Sequence, residues 1–239
     1  MGSLWIEKTK KTKQLQKLEQ DIETEVCVIG TGVFGLTTAY YLAKNNIPVV
    51  IVEAEKEIGL KVSGNTTGKI TSQHGLFYDH LIKDYGEKFA GKYLDANEQA
   101  IKNIKNIIDE NKIECDFEWQ DNYVYTQNQD EVQQIKDEVE AVKRLGFDAE
   151  FVTKTNLPFP VQGAIKFPNQ AQFDARKYML GMAEQITKQN GQIYIDTRVQ
   201  DIAKKGKEYV LITKNANIKA NKVVMATHYP IVSAPGFYF

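Results

Sequence analysis

Residues Glu25 to Glu53 read EVCVIGTGVFGLTTAYYLAKNNIPVVIVE, and this stretch decides the fold. Glu25 to Ile29 is short, apolar and β-branched, which predicts a buried strand ended by Gly30. A helix is expected from about Gly32 to Lys44, with Phe34, Thr38, Tyr41 and Leu42 spread around its faces. Asn45 and Asn46 stop it, and Pro48 to Val52 predicts a second buried strand. Strand, helix and strand within about thirty residues is the size of a right-handed βαβ unit.

The turn of that unit is Gly30-Thr31-Gly32-Val33-Phe34-Gly35, a GxGxxG between strand and helix. Gly30 permits the tight turn, Gly32 lets backbone approach a pyrophosphate, and Gly35 removes the side chain where helix meets strand. The helix N-terminus offers N–H groups and a positive dipole end to an anion. Glu53 ends the second strand, 18 positions after Gly35, where a carboxylate accepts ribose hydroxyls. Glu53 and Glu55 would repel a 2′-phosphate, which leaves NAD and FAD. An NAD-binding fold passes promptly into another helix and strand. Here Val62 to Thr71 (VSGNTTGKIT) follows instead, rich in small hydroxyl residues and glycine, and backbone N–H groups in such a loop can line FAD.

Working outward, Ala54 to Ser72 reads as a long loop without a third strand or a clear helix. Tyr78 to Lys112 is helical, with Phe89, Tyr93, Ala96, Ala100, Ile104 and Ile108 as one apolar stripe. Phe117 to Thr126 predicts a hairpin about Asp121–Asn122. Gln129 to Leu145 predicts a helix, Glu150 to Thr153 and Ala164 to Phe167 short strands, and Asp174 the cap of a helix ended by Asn190–Gly191. Further strands are expected at Ile193–Ile195, Val199–Ile202, Tyr209–Thr213 and Val223–Ala226. The expected organisation is an arm (1–20), a nucleotide-binding domain (21–75, returning at 174–239) and an inserted substrate or cap region (76–173).

The 239 residues carry 30 Lys plus Arg against 31 Asp plus Glu, a balance that argues against nucleic acid as a ligand. Cys27 and Cys115 sit in no CxxC, and with His74, His80 and His228 they argue against a metal site. The longest apolar runs fall far short of the ~20 residues that span a bilayer. Residues 1–25 lack a signal-peptide core, so a cytoplasmic protein without membrane contact is expected. Lys8, Lys10, Lys11, Lys13 and Lys17 predict a solvated basic arm.

The stretches GTGVFGLTTAYYLAKNNIPVVIVEAE (30–55), SGNTTGKITSQHG (63–75) and KVVMATHYP (222–230) resemble the D-amino-acid-oxidase-like FAD-dependent oxidoreductases. With NQAQFDARKY (169–178), the wording is closest to a bacterial subgroup with a C-terminal Rieske iron–sulfur domain. The resemblance implies an α/β fold: an FAD-binding Rossmann-like domain with an inserted α+β substrate domain. It implies hydride transfer from a small amine or hydroxy substrate to FAD, and in the fused relatives electron passage to an iron–sulfur acceptor. By matching positions, it assigns Gly30, Gly32, Val33, Phe34 and Gly35 to the pyrophosphate, and Glu53 with Ala54 to the adenosine. Ser63, Thr66, Thr67, Gly68 and Lys69 fall beside the phosphates and flavin, Val199 by the adenine, and Ala226–Thr227 near the flavin. His228 stands where the family usually has glycine. Family members continue beyond position 239, and no CxH…CxxH pair occurs, so an N-terminal, truncated portion of such a protein is expected.

No general base can be named. His74 could donate a proton or anchor flavin, although a lone histidine after a loop is more often a structural hydrogen-bonder. Lys69 could stabilise anionic flavin or lie on the surface, and His228 could close over the isoalloxazine. Phe117, Trp119, Tyr123 and Tyr125 could form a substrate wall, or simply pack at alternate strand positions. Cys27 reads as inert core. The rivals are an NAD-dependent dehydrogenase and a non-catalytic FAD-binding portion of a larger flavoprotein.

Overall fold

Val26 to Ile29 are buried because they lie mid-sheet, covered on both faces. In the computed structural model, which describes residues 2–9, 15–229 and 231, they end β1 (Ile22–Ile29). This strand pairs in parallel with β2 (Val49–Val52) and with β10 (Asn217–Met225). All four residues of β2 are buried, as a strand flanked on both faces requires. The crossover between β1 and β2 is α2 (Val33–Lys44), which buries Leu36, Ala39, Tyr40 and Ala43 and leaves Phe34 outside.

The chain divides into two compact units. The first, Met1–Thr67, Ile113–Cys115 and Asp174–Phe239, holds a six-stranded sheet. Its order is β7 (Gln192–Tyr194), β2, β1, β10, β9 (Glu208–Thr213) and β8 (Val199–Lys205). The first four strands are parallel, and β10, β9 and β8 form an antiparallel meander. α6 (Ala175–Lys188) packs against α2 and is capped by Asp174, whose carboxylate accepts from the Arg176 and Lys177 N–H groups.

The second unit, Gly68–Lys112 and Asp116–Phe173, is built on β6 (Gly163–Gln172). β4 (Glu118–Thr126) pairs antiparallel along it, as do β3 (Lys69–Ile70) and β5 (Glu150–Val152). The helices are α3 (Tyr78–Tyr85), α4 (Glu87–Asn111) and α5 (Val132–Arg144). Tyr78, Leu94, Ile135, Val139, Val142, Ile165 and Phe167 close the core.

Several expectations change. No hairpin forms at Asp121–Asn122: β4 runs straight through, and the irregularity lies opposite. Gln120 faces Gln170 while Asn122 faces Phe167, so β6 accommodates an extra residue at Pro168–Asn169, with Asn169 at φ +57°. Asn122 is buried, and its Nδ2 donates to Gln73 Oε1 at 2.6 Å. The apolar stripe of α4 holds only in part: Ile108 is buried and Tyr93 and Ile104 are half-buried, but Phe89, Ala96 and Ala100 are exposed, and Ala90, Leu94, Ile101 and Ile107 are buried instead. Residues 68–75 belong to the second unit, because Lys69–Ile70 pairs with β6.

The arm is not simply solvated. Residues Leu4–Lys8 form α1, the Ile195 N–H donates to Gln16 O, and Leu18 is core. Lys17 pairs with Asp196 at 3.0 Å; Lys10, Lys11 and Lys13 lie outside the described residues. Among the described residues, no helix is long and apolar enough to cross a membrane.

Candidate active site in the first unit

The C-terminal ends of β1, β2 and β10 meet at one edge of the first sheet, where open α/β sheets hold their ligands. Gly30 turns the chain there at φ +110°, its N–H donating to Val52 O at 2.8 Å. A Cβ on Gly30 would sit 2.8 Å from Ala226 O, and one on Gly35 only 2.1 Å from Gly30 O. Both positions exclude a side chain, for conformation and for packing respectively. Gly32 is the N-cap of α2, and the Val33 N–H donates to Ser63 Oγ at 3.1 Å. The Ser63 hydroxyl thus sits on the positive end of the helix, where an anion would also be favoured.

Glu53 is engaged within the protein. Its Oε2 accepts from the Thr31 N–H at 2.9 Å and the Thr31 hydroxyl at 2.6 Å, and its Oε1 accepts from the Glu55 N–H at 2.9 Å. The buried Thr31 hydroxyl also accepts from the Gly59 N–H at 3.2 Å. One carboxylate and one hydroxyl therefore tie together the glycine turn, the end of β2 and the loop at residue 59. Arg176 anchors that loop from beneath: it is 2% exposed, donates to Ile58 O at 2.7 Å and pairs with Glu57. Glu55 is paired with Lys61 at 3.0 Å and Arg198 at 3.8 Å. Its charge is already met by cations, so the argument against a 2′-phosphate rests on Glu53 alone.

The glycine turn, Glu53, Glu55, Gly59 and Ser63 line a cleft of about 690 Å³, within the size range of cofactor sites. Of the expected residues, Gly30, Gly32, Phe34, Glu53, Ala54, Ser63, Ala226, Thr227 and His228 line it. Val62, from the loop expected to line FAD, joins them, and so do Thr31, Gly59, Lys61, Arg198 and Met225, which were not singled out from the sequence. A small hydroxyl between the two glycines, facing an acid at a strand end, was the signal available for Thr31.

The remaining candidates lie elsewhere. Gly35 is buried under the turn, and Val199 is core at the start of β8. Thr66 and Thr67 continue the Ser63 loop outside the cleft lining. Gly68, at φ +77°, the exposed Lys69 and the exposed His74 belong to the second unit, where His74 meets Tyr93 edge-on at 6.4 Å. In that unit Phe117 and Trp119 stack edge to face at 5.1 Å, and Tyr125 meets Phe159. His228 is exposed, edge-on to Tyr229 at 4.6 Å. Burial pushes the Cys27 thiol up to about 12, which leaves it inert.

The profile of the DAO family, FAD dependent oxidoreductase, matches residues 25–234. The chain belongs to this family. Its cofactor is FAD, and the cleft fits that group: the glycines at 30 and 32 leave the floor free of side chains beside a helix N-terminus. A Bacillus subtilis (strain 168) relative, named "Putative Rieske 2Fe-2S iron-sulfur protein YhfW", is 37% identical over 92% of this chain and 43% of its own length. Gamma-glutamylputrescine oxidoreductase of Escherichia coli (strain K12) is 24% identical, over 87% and 50% respectively. The crystal structure of glycine oxidase from Bacillus cereus superposes with a TM-score of 0.65 at 22% identity, covering 85% of this chain and 55% of that one. The DAO-family chain thus spans about half the length of the curated relatives it matches.

Proposed function

We propose that the protein is an FAD-dependent oxidoreductase that takes a hydride from a carbon bearing an amine or hydroxyl group in a small substrate. The observation that carries this is the cleft in which the Gly30 turn, the α2 N-terminus, Glu53 and Ala226–Thr227 converge. Bound FAD supplies the two-electron acceptor for that chemistry. In this reading the α2 N-terminus and the Gly32 backbone hold the pyrophosphate. Glu53 turns from Thr31 to the ribose hydroxyls while Glu55 stays with Lys61 and Arg198. Ser63 steadies the phosphate side, and Ala226, Thr227 and His228 bound the flavin side. The first unit is the FAD domain, with His228 as its weaker candidate, and the second is the substrate region, with Lys69 and His74 as its own. Support for an amine comes from the relatives, which include a glycine oxidase and a gamma-glutamylputrescine oxidoreductase.

A second reading is favoured by the length comparison. The chain spans 43% of the Bacillus subtilis relative, whose name is that of a Rieske protein. In this reading the chain is a non-catalytic FAD-binding portion of a larger flavoprotein and does not oxidise a substrate by itself. Both readings expect flavin absorbance near ~375 and ~450 nm in the purified protein. Substrate-dependent reduction of an artificial acceptor dye, assayed with amines and with 2-hydroxy acids, then separates them. Dye reduction by neither class, with flavin bound, removes the first reading. Absence of bound or bindable flavin removes both.

A further inference from the structure

We propose that residues Ser3–Thr9 form a strap that positions the Ser63–Thr67 loop for the cofactor, with Trp5 as its positioning residue. The inference rests on that loop facing the phosphate side of FAD, as proposed above. A five-residue helix such as α1 is too short to hold its shape alone, and none of its residues is buried. Its place is set by what it touches. The Ser3 hydroxyl donates to Gly64 O, and the Trp5 indole N–H donates to Thr66 O at 2.6 Å. The Ile6 side chain lies against Gly64, where an added Cβ would meet its Cδ1 at 3.4 Å. The Thr9 hydroxyl reaches Asp174, the cap of α6, at 3.3 Å.

Further along, the chain is fixed to the same unit a second time. The Leu18 N–H donates to Thr197 Oγ1 at 3.1 Å, and the Leu18 side chain is 2% exposed. The loop is thereby held from two directions. On the cleft side, Ser63 Oγ takes the Val33 N–H at the start of α2, and Val62 and Ser63 line the cleft. On the other side, the Gly64 and Thr66 carbonyls take their donors from the strap. A loop of small residues with Gly64 in it has many accessible conformations, and fixing it before the ligand arrives removes an ordering cost from binding.

The test measures FAD binding by calorimetric titration of the full chain and its variants, with apo melting temperature alongside. Trp5→Phe keeps the ring and loses only the N–H donor; it should weaken FAD binding about fivefold, the factor for one hydrogen bond. Trp5→Ala should weaken it about tenfold or more, while the apo melting temperature stays within about 2 °C. Trypsin should cut the apo variants faster than the parent at Lys61 or Lys69, a readout that needs no flavin. Gly32→Val serves as the check on the cofactor reading. If Gly32→Val loses FAD while both Trp5 variants bind and resist trypsin like the parent, the strap is overturned and the cleft stands. If no variant, Gly32→Val included, changes FAD binding, the cofactor reading falls with it. A drop in melting temperature without weaker binding makes α1 a stabilising element only, which also overturns the proposal.

Discussion

Around the first-unit cleft, backbone lies against glycine: Gly35 lies under the Gly30 carbonyl, Gly64 under the Gly59 carbonyl, and Gly30 beside Ala226 O. In the second unit, polar side chains turn inward. Glu138, 1% exposed, accepts from the Phe77, Tyr78 and Asp79 N–H groups and so caps α3. Gln170, equally buried, accepts from the Ser72 N–H and donates to Glu98. A site that must admit a large anionic ligand keeps side chains out and leaves backbone N–H groups at the cleft. Helices locked onto a sheet take buried carboxylates as internal caps, Glu138 for α3 here and Asp174 for α6 in the first unit. The glycine turn of the first unit should therefore fail when atoms are added, and the α3 end of the second when polar atoms are removed.

The largest effect is expected from Gly35→Ala. A methyl group 2.1 Å from Gly30 O cannot be accommodated without moving β1 or α2. Loss of about 4 kcal/mol or more is expected, read as a lowered urea midpoint with loss of bound flavin. A midpoint near the parent's would mean that the turn is far softer than its geometry indicates. Glu138→Ala tests the other side of the comparison. It leaves three buried or half-buried N–H groups without their acceptor, at a cost of about 3 kcal/mol. The adenosine-side cleft, built wholly from first-unit residues, should still bind ADP at temperatures where the variant remains folded. Loss of ADP binding in the folded variant would break the division of labour.

Glu53→Gln should have a smaller effect. The amide keeps an acceptor for Thr31 or Glu55 but loses the charge that makes ribose hydrogen bonds strong. FAD affinity should fall about tenfold, the equivalent of ~1.4 kcal/mol. Equal affinity for parent and variant would indicate that Glu53 remains with Thr31 and never meets the ligand.

The comparison also explains what the sequence could disclose. The β1–α2–β2 segment was legible because its constraints are local: apolar runs, glycine spacing and a terminal acid lie within thirty positions. Glu53 was found as a carboxylate at a strand end, but not its bonds to Thr31, because a spacing rule says nothing about where an acid points without ligand. The second unit was harder. Asp121–Asn122 carries a local turn signal, yet pairing with β6, more than forty positions away, overrides it. The strap was illegible for the same reason, since Ser3 and Trp5 each find a partner 61 residues away. Arg176 reads as one more surface cation on an amphipathic helix until its partners at Glu57 and Ile58 are known.

The smallest effect sharpens the comparison through pH. Cys27 lies in the first-unit core, and burial lifts its thiol from 9.0 to about 12. The unfolded chain begins to lose this proton near 9, while the folded chain holds it. The stabilisation is therefore complete below pH 9 and is lost as pH rises toward 12. Burial also raises the hydroxyls of Tyr78, in the second unit, and Tyr178, in the first, but from an ordinary value of 10.0. Between pH 9 and 10 the thiol is thus the first of these three groups to weaken the fold, and it acts on the first unit. Urea midpoints measured at pH 8.0 and pH 9.8 should fall for the parent and fall less for Cys27→Ala. The substitution itself removes one buried sulfur and should cost about 1 kcal/mol at pH 8. Identical pH slopes for parent and variant would assign the alkaline loss to other groups and remove Cys27 as the first unit's early point of failure.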